Sequence, residues 1–147
     1  IRYGDTPLIR TETLMRLLAA HRSTRGSGAL LTALLENPTG YGRIIRERSG
    51  RVIRIEEERS ASEAERQIRE VNAGAYCYRA RTLFRALRKV RPNSANDELY
   101  LTDAVRILAS RGRSILALPA ALPEEILGVN TPEQLVTASS VHSALVA

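Results

Sequence analysis

Residues on which many metal, redox and nucleic-acid sites depend are scarce in this sequence. The single cysteine, Cys77, cannot form a disulfide within the chain, and His21 and His142 are too far apart in sequence to form a metal-binding pair. There is no tryptophan and aromatic residues make up 4% of the chain, which argues against a platform on which nucleic-acid bases stack. No apolar run is long enough to cross a bilayer, and no signal peptide is recognisable. We therefore expect a cytoplasmic protein that binds neither nucleic acid nor a membrane.

Lysine is almost absent as well, since Lys89 is the only one, yet the net charge is +6. The arginines that carry this charge are scattered, with acidic residues between them, whereas a nucleic-acid-binding surface concentrates its charge on one face. The excess of arginine is more typical of a small phosphorylated ligand. With 147 residues and 44% hydrophobic residues, the chain is the size of one domain and apolar enough to form a core.

Apolar periodicity and turn residues divide the chain into alternating helices and strands. The predicted helices are 11–22, 62–70, 81–90, 99–110 and 131–145, and the predicted strands are 29–35, 43–46, 51–57, 73–78, 114–118 and 126–129. Ser49 and Gly50 form the turn of a hairpin between the second and third strands. This alternation predicts an α/β layered domain with a largely parallel sheet, into which the hairpin is inserted.

Polar residues that could carry chemistry follow several predicted strands, where ligands of α/β sheets usually bind. They are Tyr3-Gly4-Asp5 after the first extended segment, Glu57 after the hairpin, Asn72 beside the next strand, and Gly128-Val129-Asn130 before the last helix. From the residues alone, Asp5 is either a turn residue or a metal ligand, and Asn130 is either a capping residue or part of a site. The stretch with Gly40 and Gly42 is either part of a hairpin or a loop whose bare backbone lies against a ligand.

In their order along the chain, these motifs resemble those of the bacterial N-acetylglucosamine-1-phosphate uridyltransferases, within the sugar-phosphate nucleotidyltransferase family. The motifs are YGDTPLI (3–9), NPTGYGRI (37–44), Glu57 at the end of a strand, EVNAG (70–74), ELYLTD (98–103) and GVN (128–130). The resemblance runs from Tyr3 to about Leu135. It implies a Rossmann-like nucleotide-diphospho-sugar transferase fold that is incomplete at the N-terminus, so that residues 1–147 are the C-terminal portion of a single nucleotidyltransferase domain. The acetyltransferase β-helix domain of the bifunctional members would lie outside this chain.

The resemblance implies a nucleotide and metal site formed from the two ends of the chain. Tyr3 and Gly4 would contact the uridine nucleotide. Asp5 would be a ligand of Mg²⁺ and Asn130 the second protein ligand, which makes these two the catalytic residues. One carboxylate and one amide oxygen suit Mg²⁺, because this ion keeps several waters and binds substrate phosphates as well.

The same resemblance implies a sugar site built from the middle of the chain. The backbone of Gly42 would contact the sugar, Glu57 would bind its hydroxyl groups, and Asn72 would bind its N-acetyl side. Tyr100 and Thr102 would contact the bound sugar phosphate. Neutral hexose hydroxyls need short hydrogen bonds from such groups, and glycine lets the backbone approach without a Cβ in the way.

The implied reaction is Mg²⁺-dependent transfer of UMP from UTP to N-acetylglucosamine 1-phosphate, which gives UDP-N-acetylglucosamine and pyrophosphate for cell-wall precursor synthesis. The chain alone would be inactive, because the phosphate-cradling loop of the family precedes YGD. Two alternatives stay open: a related nucleotidyltransferase for another sugar or base, and a non-catalytic sugar-phosphate-binding module. A homo-oligomer formed through a downstream domain is a further expectation.

Overall fold

The described part of the chain contains five helices, five strands and one 3₁₀ turn. A computed structural model describes residues 1–24, 26–93 and 97–146. The helices are α1 (Thr11–Ser23), α2 (Glu63–Arg66), α3 (Ala80–Leu87), α4 (Asp103–Ala109) and α5 (Pro132–Val146), and the 3₁₀ turn is Pro123–Ile126. The strands are β1 (Gly28–Leu34), β2 (Arg43–Arg46), β3 (Val52–Glu56), β4 (Glu70–Tyr78) and β5 (Ile115–Pro119). Within the described residues, no helix is both long and apolar enough to span a bilayer.

The strands form one mixed sheet in the order β3-β2-β4-β1-β5. Among the described strands, β1 and β5 run parallel, whereas the pairs β1–β4, β2–β4 and β2–β3 are antiparallel. The expectation of a largely parallel sheet is therefore wrong. The reason lies in the order of the strands: the hairpin reverses the chain between β2 and β3, and β4, which runs in the same direction as β3, lies between β2 and β1, which both run the opposite way.

The middle of the sheet is buried on both faces. Leu30 of β1 belongs to a core that it shares with Leu83 of α3 and Leu108 of α4. The next residue, Leu31, points to the opposite face, where Leu17 of α1 forms a second core. Burial on both faces explains why β1 is an almost unbroken apolar run. The sheet thus lies between two helical layers, and the predicted α/β layering is confirmed.

Three helices are shorter than the sequence pattern predicted, among them α3, which ends at Leu87 and not at residue 90. The helix predicted at 62–70 starts with a capping box between Ser62 and Glu65 and ends at Arg66, because the chain enters β4 at Glu70. The helix predicted at 99–110 starts only at Asp103. These differences concern boundaries, and the order of these helices is unchanged.

The strand predicted at 126–129 is wrong, because residue 126 ends a 3₁₀ turn and residues 127–129 pair with no described strand. The side chain of Glu125 in that turn is fully buried, and its carboxylate accepts the backbone N–H groups of Leu122 at 3.3 Å and Arg10 at 3.1 Å. The turn is therefore fixed by hydrogen bonds to its own start and to the segment before α1. These bonds hold the two ends of the chain side by side.

Candidate functional site

A bulge in β4 lies at the centre of the candidate site. Between two consecutive ladder pairs, one residue of β1 faces three residues of β4 (73–75). Gly74, in the middle of this bulge, has a φ of +69°, a conformation that favours glycine. A Cβ at this position would lie 2.5 Å from the ring of Tyr3. The bulge and its glycine therefore let Tyr3 pack directly on the strand, next to Asn72.

The first residues of the chain run along the outer edge of this bulge. The N–H of Tyr3 donates to the carbonyl of Gly74 at 3.0 Å. Two residues further on, the carbonyl of Asp5 accepts the N–H of Val129 at 2.7 Å. These bonds place the YGD and GVN motifs, which come from opposite ends of the sequence, beside each other and beside β4.

Two donors orient the side chain of Asn72. Its Oδ1 atom accepts the backbone N–H of Gly74 at 3.2 Å and the hydroxyl of Tyr76 at 2.9 Å. Because a backbone N–H can only donate, the atom that faces Gly74 must be the oxygen of the Asn72 amide. A hydrogen bond with the Asn72 side chain is also among the interactions of the Tyr3 hydroxyl. Because Oδ1 is occupied and the NH₂ group has two protons, the NH₂ group is the part of Asn72 that can donate to a ligand.

The loop before β2 places its backbone against Asn72 and Glu57. The N–H of Asn72 donates to the carbonyl of Gly42 at 2.8 Å. A Cβ on Gly42 would lie 2.9 Å from Ile55 and 3.3 Å from Oε2 of Glu57, so a larger residue would displace the carboxylate. The other oxygen of Glu57, Oε1, accepts the hydroxyl of Thr102 at 2.6 Å. Glu57 is therefore held between this loop and the start of α4.

A buried arginine, which the sequence analysis did not single out, fixes the same loop. Arg43 is 1% exposed. Its guanidinium donates to the carbonyls of Tyr41 and Arg66 and lies 2.6 Å from Oε2 of Glu58. Buried charges are stable only when paired and hydrogen-bonded in this way. The signal in the sequence was an arginine that opens a strand directly before two isoleucines.

These elements surround a cavity of about 310 Å³. Of the nine predicted site residues, six line it: Tyr3, Asp5, Gly42, Glu57, Asn72 and Asn130. Gly4 connects Tyr3 and Asp5 but is not part of the cavity wall. Tyr100 and Thr102 line a neighbouring cavity of about 330 Å³, whose wall shares Glu57 with the first. The structure thus unites the predicted metal residues with three of the predicted sugar residues and separates the other two from them by Glu57.

Asp5 and Asn130 form an exposed rim of this cavity. The side chain of Gln134 caps the start of α5 by accepting the backbone N–H of Asn130 at 2.7 Å. Neither the carboxylate of Asp5 nor the side-chain amide of Asn130 makes a hydrogen bond within the described residues. Both offer oxygen atoms, the donors that Mg²⁺ prefers, so the pair fits such an ion.

The rim is not a complete metal cage. In the part of the chain that the structure describes, no three His, Cys, Asp or Glu side chains cluster as a metal site. An ion held by one carboxylate and one amide would take its other ligands from water and substrate phosphates. The donor set therefore suits an ion that arrives with a nucleotide.

Gly74, which lines the cavity, and Tyr76, which lies behind it, are among the residues that carried no functional prediction. A lone glycine inside a strand-like run is a known sign of a bulge and could have identified Gly74. Burial raises the pKa of Tyr76, and the neighbouring Tyr3 raises it further. Tyr76 therefore stays protonated near neutral pH and acts as a hydrogen-bond donor.

Comparison with known proteins gives consistent results. The sequence model of the nucleotidyl transferase family matches residues 4–121. The curated protein "Bifunctional protein GlmU" of Brevibacillus brevis is 48% identical over 133 residues, which are 90% of this chain and 29% of that protein. The protein of the same name from Geobacter metallireducens is 50% identical over 135 residues, which are 92% of this chain and 28% of that protein. The chain thus spans less than a third of the length of these relatives.

Solved structures resemble the fold at low sequence identity. The crystal structure of an apo UDP-glucose pyrophosphorylase has a TM-score of 0.70 and 16% identity, and the match covers 100% of this chain and 51% of that one. A nucleoside-diphosphate-sugar pyrophosphorylase from Vibrio cholerae has a TM-score of 0.61 and 19% identity, with 80% and 48% covered. These similarities confirm the expected Rossmann-like fold of nucleotide-sugar pyrophosphorylases.

Proposed function

The chain belongs to the nucleotidyl transferase family, and from this premise we propose that the protein transfers UMP from UTP to N-acetylglucosamine 1-phosphate. The reaction is Mg²⁺-dependent, releases pyrophosphate and gives UDP-N-acetylglucosamine, a precursor of the cell wall. The observation that carries this proposal is the shared cavity. Asp5 and Asn130, whose oxygens suit a metal, and Glu57 and Asn72, whose groups suit a sugar, line the same cavity.

The sugar binds against the sheet. The carboxylate of Glu57 accepts hydrogen bonds from sugar hydroxyls, and the NH₂ group of Asn72 donates to the carbonyl of the acyl group at C2. Gly42 offers its backbone at close range, because it has no Cβ. A sugar without the acyl group leaves the donor of Asn72 unpaired in a largely buried position, and such a loss is how polar sites reject analogues.

The nucleotide binds toward the rim. Tyr3 and Gly4 contact the uridine nucleotide, and Asp5 and Asn130 would hold Mg²⁺. When bound, this ion neutralises phosphate charge and acts as a Lewis acid. The oxygen of the sugar 1-phosphate forms a bond to the α-phosphorus of UTP while the bond to pyrophosphate breaks. Alignment and charge neutralisation are the main requirements of such a transfer, and no protein nucleophile is needed.

The remaining predicted residues support the sugar from the neighbouring cavity. Thr102 donates its hydroxyl to Glu57, and Tyr100 contacts the sugar phosphate from that side. We also propose that residues 1–147 are one portion of a cytoplasmic nucleotidyltransferase domain and that turnover requires further segments of the protein.

The substrate is tested with the full-length product of the gene that encodes this chain. UTP and Mg²⁺ are supplied with N-acetylglucosamine 1-phosphate or glucose 1-phosphate, and release of pyrophosphate is measured. We expect the higher kcat/KM with N-acetylglucosamine 1-phosphate. Asn72→Ala should lower this value by about tenfold and leave that for glucose 1-phosphate nearly unchanged. Equal losses with both sugars would contradict the role of Asn72, and a preference for another sugar or nucleotide would contradict the assigned substrates.

A further inference from the structure

The hydroxyl of Tyr76 is a buried polar group that the proposed reaction does not use directly. Tyr76 is 3% exposed. Its oxygen lies 2.9 Å from Oδ1 of Asn72 and 3.1 Å from the hydroxyl oxygen of Tyr3. It thus stands behind Asn72, between the residue that we assign to the sugar and one that we assign to the nucleotide.

The direction of the hydrogen bonds that join Tyr3, Tyr76 and Asn72 follows from counting donors. Oδ1 of Asn72 is a carbonyl oxygen and can only accept, so the proton of Tyr76 points to it. The oxygen of Tyr76 is then left to accept the proton of Tyr3. The result is a directed chain of hydrogen bonds from Tyr3 to Tyr76 to Asn72. A charge-neutral chain of this kind holds the Asn72 amide in one orientation.

We propose that Tyr76 is a positioning residue that makes the site selective for sugars with an acyl carbonyl at C2. By holding the oxygen of the Asn72 amide, together with the N–H of Gly74, it leaves only the NH₂ group to face the ligand. A ligand that offers an acceptor at C2 is then favoured over one that offers a hydroxyl or nothing. This inference rests on the proposed function, because it refines the binding of the same sugar.

The structure supplies a matched control in Tyr78. Its ring stacks on that of Tyr76, with centroids 6.0 Å apart and planes 18° from parallel. Its hydroxyl is buried as well, but it has no hydrogen-bond partner among the described residues. Tyr76→Phe and Tyr78→Phe therefore remove the same atom from neighbouring stacked rings, and only the first removes a bond to Asn72.

The test measures KM for both sugar phosphates in the full-length gene product. We expect Tyr76→Phe to raise the KM for N-acetylglucosamine 1-phosphate by about fivefold, without changing the KM for glucose 1-phosphate or kcat. Tyr78→Phe should change none of these values. In an Asn72→Ala background, Tyr76→Phe should have no further effect, because the two residues act as one unit.

The ratio of the two KM values does not depend on the fraction of active molecules, so a partly unfolded variant still gives an answer. An equal rise of both KM values, or the same change in Tyr78→Phe, would overturn the role of Tyr76 while leaving the proposed function intact. A wild-type protein that does not turn over N-acetylglucosamine 1-phosphate would overturn both.

Discussion

Asn72 and Glu57, on the sheet side of the cavity, and Asp5 and Asn130, on its rim, are held in very different ways. On the sheet side, each functional group is tied by hydrogen bonds to neighbouring elements: Asn72 to the bulge of β4, and Glu57 to Thr102 at the start of α4. On the rim, the side chains are exposed and make no hydrogen bonds within the described residues. Only their backbones are fixed.

The difference shows what folding alone provides. The sheet side is assembled before any ligand arrives, so the hydrogen bonds that fix its geometry also stabilise the fold. It can therefore discriminate between sugars at little further cost in entropy. The oxygen atoms on the rim have no hydrogen-bond partners among the described residues. They are suited to bind an ion that takes its other ligands from substrate phosphates. Substitutions on the rim should therefore affect turnover alone, whereas substitutions on the sheet side should affect both binding and stability.

The largest effect is expected from Asp5→Asn on the rim. The substitution keeps the shape of the side chain but removes the charge that attracts a divalent cation. We expect kcat/KM of the full-length protein to fall by about 10³-fold, equivalent to about 4 kcal/mol of transition-state stabilisation. The midpoint of thermal unfolding should stay unchanged, because Asp5 is exposed and its side chain has no hydrogen bond among the described residues.

The matched control for Asp5 is Glu12→Gln in α1. The Glu12 side chain is 70% exposed and pairs with Arg10 at the surface, so both activity and stability should match those of the wild type. If Asp5→Asn were as active as Glu12→Gln, the rim would not be the metal site. If it lost stability as well, the two sides of the cavity would not differ in the way described.

The sequence predicts where the helices and strands lie along the chain better than it predicts the direction of the strands. Apolar patterns alone give the positions of α1, β1, β2 and β5, because these elements bury periodic side chains. These patterns do not give the direction of a strand, because that direction depends on where the connecting helices and loops place the strand in the sheet. The prediction of a mostly parallel sheet failed for this reason.

Residues of the site are predicted where the chemistry is carried by a recognisable motif. Asp5 and Asn130 belong to such motifs, but their proximity depends on a backbone bond between opposite ends of the chain. The bonds of Tyr76 and Arg43 could not be predicted, since each depends on which residue a bulge or loop places opposite it. Local sequence does not contain that information, and only the packed structure supplies it.

A smaller effect is expected from Gly42→Ala on the sheet side. The new Cβ would lie 2.9 Å from Ile55 and 3.3 Å from Glu57, so both side chains would have to move. We expect a loss of about 1–3 kcal/mol in the free energy of unfolding, as for other overpacked sites, together with a higher KM for the sugar phosphate. Urea unfolding and steady-state kinetics measure the two effects.

Gly50→Ala separates these effects. Gly50 lies in the β2–β3 turn with a φ of +84°, and a Cβ there would meet nothing within 4 Å. Its replacement should lower stability by about 1 kcal/mol through backbone strain and leave the KM for the sugar phosphate unchanged. If Gly42→Ala changed stability but not KM, the loop would support the fold without contacting the sugar.

The smallest effect is expected from Thr102→Val, compared with Thr32→Val. Both threonines are almost fully buried, at 2% and 1% exposure, and valine has nearly the same shape. The hydroxyl of Thr102 donates to Glu57, whereas that of Thr32 has no partner among the described residues.

Loss of the Thr102 hydroxyl should cost about 1 kcal/mol of unfolding free energy and raise the KM for the sugar phosphate, because Glu57 is no longer held. Loss of the Thr32 hydroxyl should be neutral or stabilising, with an unchanged KM. Equal results for the two variants in urea unfolding and kinetics would mean that the bond to Glu57 does not preorganise the sheet side, which would then resemble the rim.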